Sequence, residues 1–580
     1  MSHAIPAAFR ETWLCDFEFQ GGPGERPSPV CMVARELASG RCLRLWKEEL
    51  LMLRRPPFDT GPDALFVAFF ASAELGCFLT LGWPLPWNVL DLFVEHRCRT
   101  NGLRLDCGNS LLGALALHGL GHIDAGEKAA MRQLVLERTS WSLAEQADIL
   151  DYCESDVNAL AALLPHMAPH IDWPRALLRG RYMAAVARME HVGVPVDADL
   201  HQRFVANWGS IKHRLIQEID AAYGVYEGTT FKTLKFTAWL SKQGISWPRL
   251  PSGTLALDDE TFRHQARYYP ALLPLHELRV VLGRLRLTSI EIGADGRSRC
   301  MLSPFSSVTS RNQPSSARFV FGPSRWLRGL IRPPAGYGLA YVDFTSQEIG
   351  IAAALSGDER MIDGYRAGDP YLAFARAANL VPEDATKHSH RAERERAKVI
   401  VLGVGYGMGP ETMAAAAGIA PVEARELLQK HRETYRRFWQ WSDDAVTSAI
   451  ITGRQRTVFG WNRWVQRDCN ERSLRNFYAQ AHGAEMMRVA AIAATEAGIE
   501  VACPVHDAFL LVAPLSRLDE DVAHMRELMT KAGQAITGGM PIRTDAEVVR
   551  WPDRYMDERG AGMWQRVTRL LESNEEQRAA

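Results

Sequence analysis

The chain has 580 residues, 47% of them hydrophobic and 23% charged, with a formal net charge of −1. These values exclude a disordered or collagen-like chain and leave room for several domains with large cores. The balanced charge excludes a global basic signature for nucleic acid, so any DNA-binding surface must come from local clustering of cations.

In chain order, MSHAIPAAFRETW carries no signal-peptide apolar region, and later apolar runs are all broken by Pro, Gly or charge before bilayer length. Ten cysteines without C-x-x-C spacing argue against zinc and disulfides and point to a reducing cytosol. Residues 12–19 read as a strand with Asp16 and Glu18 on one face. Two acids there are costly unless they hold a cation; a partly exposed strand face is the ordinary alternative. Residues 64–70 form a second apolar strand, followed by a helix start carrying Glu74, and residues 87–94, with Asp91, repeat the strand pattern. Tyr152 and Asp156 share one face of a helical stretch through their i,i+4 spacing. The Pro- and His-rich PHMAPHIDWP reads as a linker, and residues 175–192 as a helix stopped by Gly193-Val-Pro.

Residues 200–290 are mostly amphipathic helix, with Lys232, Lys235 and Lys242 in one segment and Arg279, Arg284 and Arg286 in another. Solvated helix faces explain each charge singly. Arg297, Arg299, Arg311, Arg318, Arg325, Arg328 and Arg332 make the most basic tract, suited to phosphate contacts. The apolar run 339–342 ends on Asp343, and Gln347-Glu348 opens an Ala-rich helix. An Asp at the end of a buried strand is held rigidly, as a metal site requires. His388 and His390 read as a polar loop. Arg394, Lys398, Leu402 and Tyr406 recur every four residues, a stripe that begins with two cations and ends on a ring. Arg472, Asn476 and Gln480 repeat that spacing as a polar face. Residues 501–512 are two apolar runs interrupted by His506-Asp507, a hairpin with an acid at its turn. The tail 572–578 has no apolar periodicity and reads as frayed.

Asp343, the Arg394–Tyr406 stripe and His506-Asp507, in that order, resemble motifs A, B and C of the family A (Pol I-like) DNA polymerases. Glu471 to Gln480 is similar to that family's minor-groove helix, and Thr309-Ser310-Arg311 to its Thr-Gly-Arg segment. The resemblance implies that Asp343 and Asp507 hold two Mg²⁺ ions roughly 3.5–4 Å apart, with Mn²⁺ able to substitute. It implies that Arg394 and Lys398 meet the triphosphate, Leu402 lies in mid motif B, Tyr406 stacks near the templating base and His506 lies at the primer terminus. Arg311, Arg472, Asn476 and Gln480 would contact DNA, and Glu348 would exclude a 2′-hydroxyl. Ser346, Gly350, Leu402 and Ala508 depart from the family pattern. Ala508 removes an auxiliary carboxylate, and Leu402 alters discrimination at the 3′ position of the sugar.

The first 165 residues resemble a DEDD-type 3′–5′ exonuclease. Asp16 and Glu18 match its first motif, and Tyr152 and Asp156 its third. Glu74 takes the second-motif place, where the family usually has Asp, and Asp91 is the next candidate. The implied fold is α/β multidomain: an RNase H-like exonuclease domain, then a right-hand polymerase with thumb, antiparallel palm and helical fingers. The expected boundaries are 1–165 exonuclease-like, 166–175 linker, 176–300 thumb, 301–360 palm, 361–495 fingers with the minor-groove helix, and 496–580 palm and tail. The implied activity is DNA synthesis with proofreading by a monomer, compact as in a phage or plasmid, in the bacterial or infected-host cytoplasm. Its partners would be primer–template DNA and dNTPs. An exonuclease with a degenerate polymerase half is disfavoured by the intact Asp343, Asp507, Arg394 and Lys398. A single-subunit RNA polymerase is disfavoured by Glu348.

Overall fold

Two sheets organise the chain, and long helices join them. A computed structural model describes residues 5–121, 125–284, 287–322 and 324–579. The first sheet comprises β1 (Glu11–Gln20), β2 (Ser28–Glu36), β3 (Cys42–Trp46), β4 (Ala64–Ala68) and β5 (Asn88–Asp91), in the order β3-β2-β1-β4-β5. β1 runs antiparallel to β2 and parallel to β4. Its alternating side chains feed two cores. Trp13, Cys15 and Phe17 pack with α1 (Ser72–Thr80), while Leu14 packs towards the long helix Leu143–Met167. The strand expected over 87–94 ends at Asp91, and α2 (Leu92–Thr100) begins there because the Asp91 side chain caps Phe93 N and Val94 N. After a short helix at Leu111–Leu117 come α3 (Ala125–Glu137) and α4 (Leu143–Met167).

The segment expected to be a linker is mostly helical. α4 runs to Met167, a 3₁₀ turn spans Ala168–His170, and α5 (Trp173–Val192) follows with Pro174 in its first turn. α5 packs on α1 and β5 on one side and on a helix of the second half on the other. Gly180 makes this possible, since a Cβ there would lie 1.8 Å from Val89 O. The buried pair Arg179–Glu95, at 2.7 and 2.8 Å, fixes α5 to α2.

α6 (Ala198–Asp220) opens a largely helical region, with further helices at 233–242, 259–268 and 273–284. Three of its cations are engaged within the region itself. Lys232 and Lys235 pair with Glu227, and Arg279 lies over the Phe231 and Phe262 rings. Arg286 and the side chain of Arg284 lie outside the described residues. The basic tract after it is also largely spoken for: Arg299 binds Asp295, Arg318 Glu291, Arg328 Asp557 and Arg332 Asp197, while Arg297 donates to Val192 O and Gly193 O.

The second sheet comprises β6 (Tyr337–Phe344), β7 (Val501–Val505), β8 (Ala508–Pro514) and β9 (Thr544–Arg550), in the order β7-β8-β6-β9, all antiparallel. Around it lie α7 (Gln347–Ser356), α8 (Arg391–Gly405), α9 (Glu471–Glu496) and α10 (Leu518–Thr537). The tail is not frayed. α11 (Glu558–Ala579) packs Trp564, Val567, Leu570 and Leu571 onto Phe204 and Trp326, an i,i+3,i+6,i+7 face that begins before the stretch read as aperiodic. Arg203 and Arg214 of α6 then bind Glu575 and Asn574.

Candidate active site

β6 delivers Asp343 to the open end of the second sheet. Val342 and Phe344 point into the core, so Asp343 takes the opposite face. In register it lies across from Ala508 on one side and Asp545 on the other. Asp507 sits at the β7–β8 turn beside His506, whose φ is +57°, and its carbonyl accepts Phe344 N at 3.0 Å. Burial, then Asp507 and Asp545, push the Asp343 carboxyl up to about 6. Burial raises Asp507 as well, opposed by His506 and Arg311. Rigidly held carboxylates with no ion-pair partner among the described residues are a donor set that fits a hard divalent cation.

The other motif residues converge on these acids. Arg311 Nη2 binds Glu348 at 2.8 Å, the Tyr406 hydroxyl lies near the same carboxylate, and Asn476 Nδ2 donates to Tyr406 O at 3.3 Å. The side chain of Arg472 crosses Gly407, whose φ of +62° and close contact leave no place for a Cβ. Four separate stretches of sequence thus meet in one network. Arg394 Nε binds Asp369 at 2.5 Å, and both Arg394 and Lys398 lie over the Tyr371 ring, at 5.3 and 5.8 Å. Tyr371 in turn lies beside Ser346, one of the departures. Gly350, another, is closed in by Ile542 and Tyr365. Leu402 is half-buried against the core.

Two clefts flank the site. One of about 410 Å³ is lined by Arg311, Asn312, Gln313, Arg488 and His506. The other, of about 420 Å³, is lined by Thr309, Arg463, Arg472, Asn476 and Gln480.

A second acidic centre lies on the first sheet. One oxygen from each of Asp16, Glu18 and Asp156 falls within 4.8 Å of the others. Glu74 is buried beside them, with Oε2 unpartnered. Burial, then Asp156 and Glu18, raise Asp16 well above the carboxylate range; burial and Asp156 bring Glu18 to about 7; burial, then Asp16 and Glu18, raise Glu74. Such crowding of acids fits a cation. The Tyr152 hydroxyl lies near Asp156, and burial and that charge hold the phenol well above its ordinary range. Asp91 is occupied otherwise. It accepts from the amides of Phe70, Ala71, Phe93 and Val94 at 2.7–3.2 Å, clamping the turn where Phe70 has φ +72°.

Sequence reasoning missed Asp545, Asp369 and Lys128. Lys128 Nζ lies 2.6 and 2.8 Å from the two Asp156 oxygens. Asp545 stands in an acidic, half-exposed strand pattern, TDAEVV, but its pairing with Asp343 is made only by the sheet.

The family model for DNA polymerase family A matches residues 322–551, which hold Asp343, Arg394 and Asp507. DNA polymerase I of Aquifex aeolicus is 21% identical over 475 residues, 75% of this chain and 81% of that protein. The thermostable DNA polymerase I of Thermus thermophilus is 28% identical over 212 residues, 34% of this chain; the chain spans 25% of that relative's length. The fold is similar to that of the polymerase domain of Pol1 from M. smegmatis, solved in complex with a DNA primer-template and dNTP. The TM-score is 0.69 at 18% identity, covering 94% of this chain and 96% of that one. Among the described residues no helix is long and apolar enough to cross a membrane. Residues 322–551, which build the two motif aspartates into one antiparallel sheet, are thus the part of the chain that is similar to DNA polymerase family A.

Proposed function

We propose that the chain extends a primer by template-directed transfer of deoxynucleotides, using Asp343 and Asp507 as ligands for Mg²⁺, with Mn²⁺ as a substitute. The observation that carries this reading is the placement of the two carboxylates at the ends of paired strands, with the Arg311–Glu348–Tyr406 network alongside. When bound, divalent ions make the primer 3′-hydroxyl more acidic and neutralise the leaving pyrophosphate. The primer oxygen bonds to the α-phosphorus, the bond from that phosphorus to pyrophosphate breaks, and the hydroxyl proton passes to solvent. Arg394 and Lys398 hold the triphosphate, where positioned cations act on developing charge. Tyr406 offers its ring to the base pair. Glu348, held by Arg311, fills the space a 2′-hydroxyl would need, which favours DNA over RNA synthesis. Arg472, Asn476 and Gln480 present donors to the acceptors common to all base pairs in the minor groove.

The first half reads as a 3′–5′ exonuclease, with Asp16, Glu18, Glu74 and Asp156 as metal ligands and Tyr152 against the attacking water. The clustering of three carboxylates within 4.8 Å supports it. Both activities suit a monomer that works in replication or repair in the cytoplasm.

The test is primer extension with Mg²⁺, with and without dNTPs, comparing wild type, Asp343→Ala and Asp16→Ala. Extension lost only in the first variant and primer shortening lost only in the second is the expected result. Shortening without extension by wild type overturns the polymerase reading; extension without shortening overturns the editing one.

A further inference from the structure

Arg543 stands immediately before β9, and a ring of hydrogen bonds ties it to the strand end that carries Asp343. Its carbonyl accepts Thr345 N at 2.8 Å, its own N donates to the Tyr365 hydroxyl at 3.0 Å, and that hydroxyl donates to Thr345 O at 2.9 Å. Thr345 lies two residues beyond Asp343, and Arg543 two residues before Asp545, which is the cross-strand neighbour of Asp343. The strands that set the acids therefore also set Arg543.

Its side chain differs from the paired cations described above. The guanidinium lies 4.8 Å from the centre of the Tyr365 ring, and Nε and Nη2 are buried with no hydrogen-bond partner. No other arginine among the described residues has two such nitrogens. Buried donors left unmade cost free energy, and a ligand that accepts from them recovers it. The remaining nitrogen faces a turn: a Cβ built on Gly368 would lie 3.4 Å from Nη1. The next residue, Asp369, holds Arg394 at 2.5 Å, and Arg394 and Lys398 share the Tyr371 ring. Arg543 thus brings a third cation to the Gly368–Asp369 turn, from the sheet, whereas the other two come from α8. A guanidinium with unused donors beside two further cations suits an anion of several charges.

We propose that Arg543 binds the outermost phosphate of the incoming deoxynucleoside triphosphate and stays with the pyrophosphate that leaves. The inference rests on the polymerase reading above. The phosphate tail is then gripped between the sheet that carries the acids and the helix that carries Arg394 and Lys398. Arg543 is a substrate-binding residue, and its backbone ring and stacking on Tyr365 hold it in place before the nucleotide arrives.

The experiment is steady-state primer extension by the full-length chain with Mg²⁺, comparing wild type, Arg543→Ala and Arg543→Lys. Arg543→Ala should raise the KM for dNTP about tenfold, the loss of one hydrogen bond to a charged group, with a smaller change in kcat. Inorganic pyrophosphate, added as product inhibitor, should weaken by about the same factor. A deoxynucleoside diphosphate, which lacks the outermost phosphate, should inhibit all three proteins equally. Arg543→Lys, which keeps the charge, should recover part of both losses. An unchanged KM and unchanged pyrophosphate inhibition in Arg543→Ala overturn the proposal while leaving the polymerase reading standing. So does a fall in kcat at constant KM, which marks a role confined to the Tyr365–Thr345 scaffold, or a diphosphate weakened as much as the triphosphate. No extension by wild type overturns both. Thermal melting shows whether each variant folds; if the alanine variant does not, the same comparison is read from Arg543→Lys.

Discussion

Asn101 closes the C-terminal end of α2 in the exonuclease-like half, and its side-chain amide donates to Val308 O at 2.8 Å. The same nitrogen reaches Asn462 O at 2.8 Å, and Arg97, one turn earlier, donates to Ser306 O. The segment they hold contains left-handed Phe305 and Ser310 and runs directly into Arg311. Left-handed non-glycine residues persist only where their surroundings hold them. Part of the scaffold for the polymerase site therefore lies in the other half of the chain.

Replacing Asn101 with Ala should raise the KM for primer–template about tenfold, roughly the effect of one buried hydrogen bond with its partner stranded. Exonuclease activity on single-stranded DNA should stay within twofold of wild type. Steady-state kinetics of both activities decide it; an equal fall in the two would instead indicate general loss of fold.

Arg179 and Glu95 are both buried and bind each other at 2.7 and 2.8 Å. Arg179→Met leaves Glu95 charged without a partner and should cost about 3–5 kcal/mol of stability. The double variant with Glu95→Met should recover most of the loss. Chemical denaturation of the three proteins tests this, and a double variant no better than the single would sink the argument.

Glu348 accepts from Arg311 and lies beside the Tyr406 hydroxyl. Glu348→Ala should raise ribonucleotide incorporation relative to deoxynucleotide by about 10–100-fold, the scale of discrimination by shape in a pocket. Because Arg311 and Tyr406 are released together, the rate with dNTPs should fall too. Competition between labelled rNTP and dNTP measures the ratio; an unchanged ratio would falsify the assigned role.

Asp369 caps the helix that begins at Pro370 and also binds Arg394 at 2.5 Å. Asp369→Asn keeps a capping side chain and removes the competing charge. The KM for dNTP should drop about two- to fivefold, the usual strength of a partly exposed ion pair. A rise in KM would mean that Asp369 orients Arg394 for the substrate instead of competing for it.

Burial and neighbouring acids raise Asp16 and Glu74, bring Glu18 to about 7 and bring Asp343 to about 6. A carboxyl with its folded pKa above the unfolded value stabilises the fold while protonated, and the contribution is lost as pH rises through the folded pKa. Metal-free protein should thus lose thermal stability between about pH 4, the unfolded carboxylate value, and about pH 7. Mg²⁺ should restore it at pH 8 and do little near pH 5. Calorimetry across that range with and without metal checks the sign; a metal-free melting temperature that climbs to pH 8 would contradict it.

The candidate acids Asp343 and Asp507 were legible because each ends or interrupts an apolar run that local periodicity already marks as a strand. Asp343 and Asp507 needed no knowledge of the tertiary fold. Their neighbour Asp545 did, since only strand order places it across from Asp343, some 200 residues away in the chain. Lys128 and Asp369 escaped for the same reason: each gains its meaning from one long-range partner. The basic tract misled in the opposite direction. Its cations suggested an exposed phosphate surface, yet Arg328 and Arg332 find Asp557 and Asp197 far along the sequence. Local charge density says nothing about where the matching acids fold.

The packing of α11 has a consequence for the order in which the chain can mature. Trp564 covers one side of Phe204 and Trp326, and Gly329 and Gly560 admit that contact by having no side chain in the way. During synthesis from the N-terminus, the first sheet can close early, on strands drawn from its first hundred residues. The base of α6 cannot, because its last wall is translated some 350 residues after its first. Until then two large aromatic side chains stand open to water or to a chaperone, and a ribosome that stalls before residue 558 releases a chain with this core unsealed.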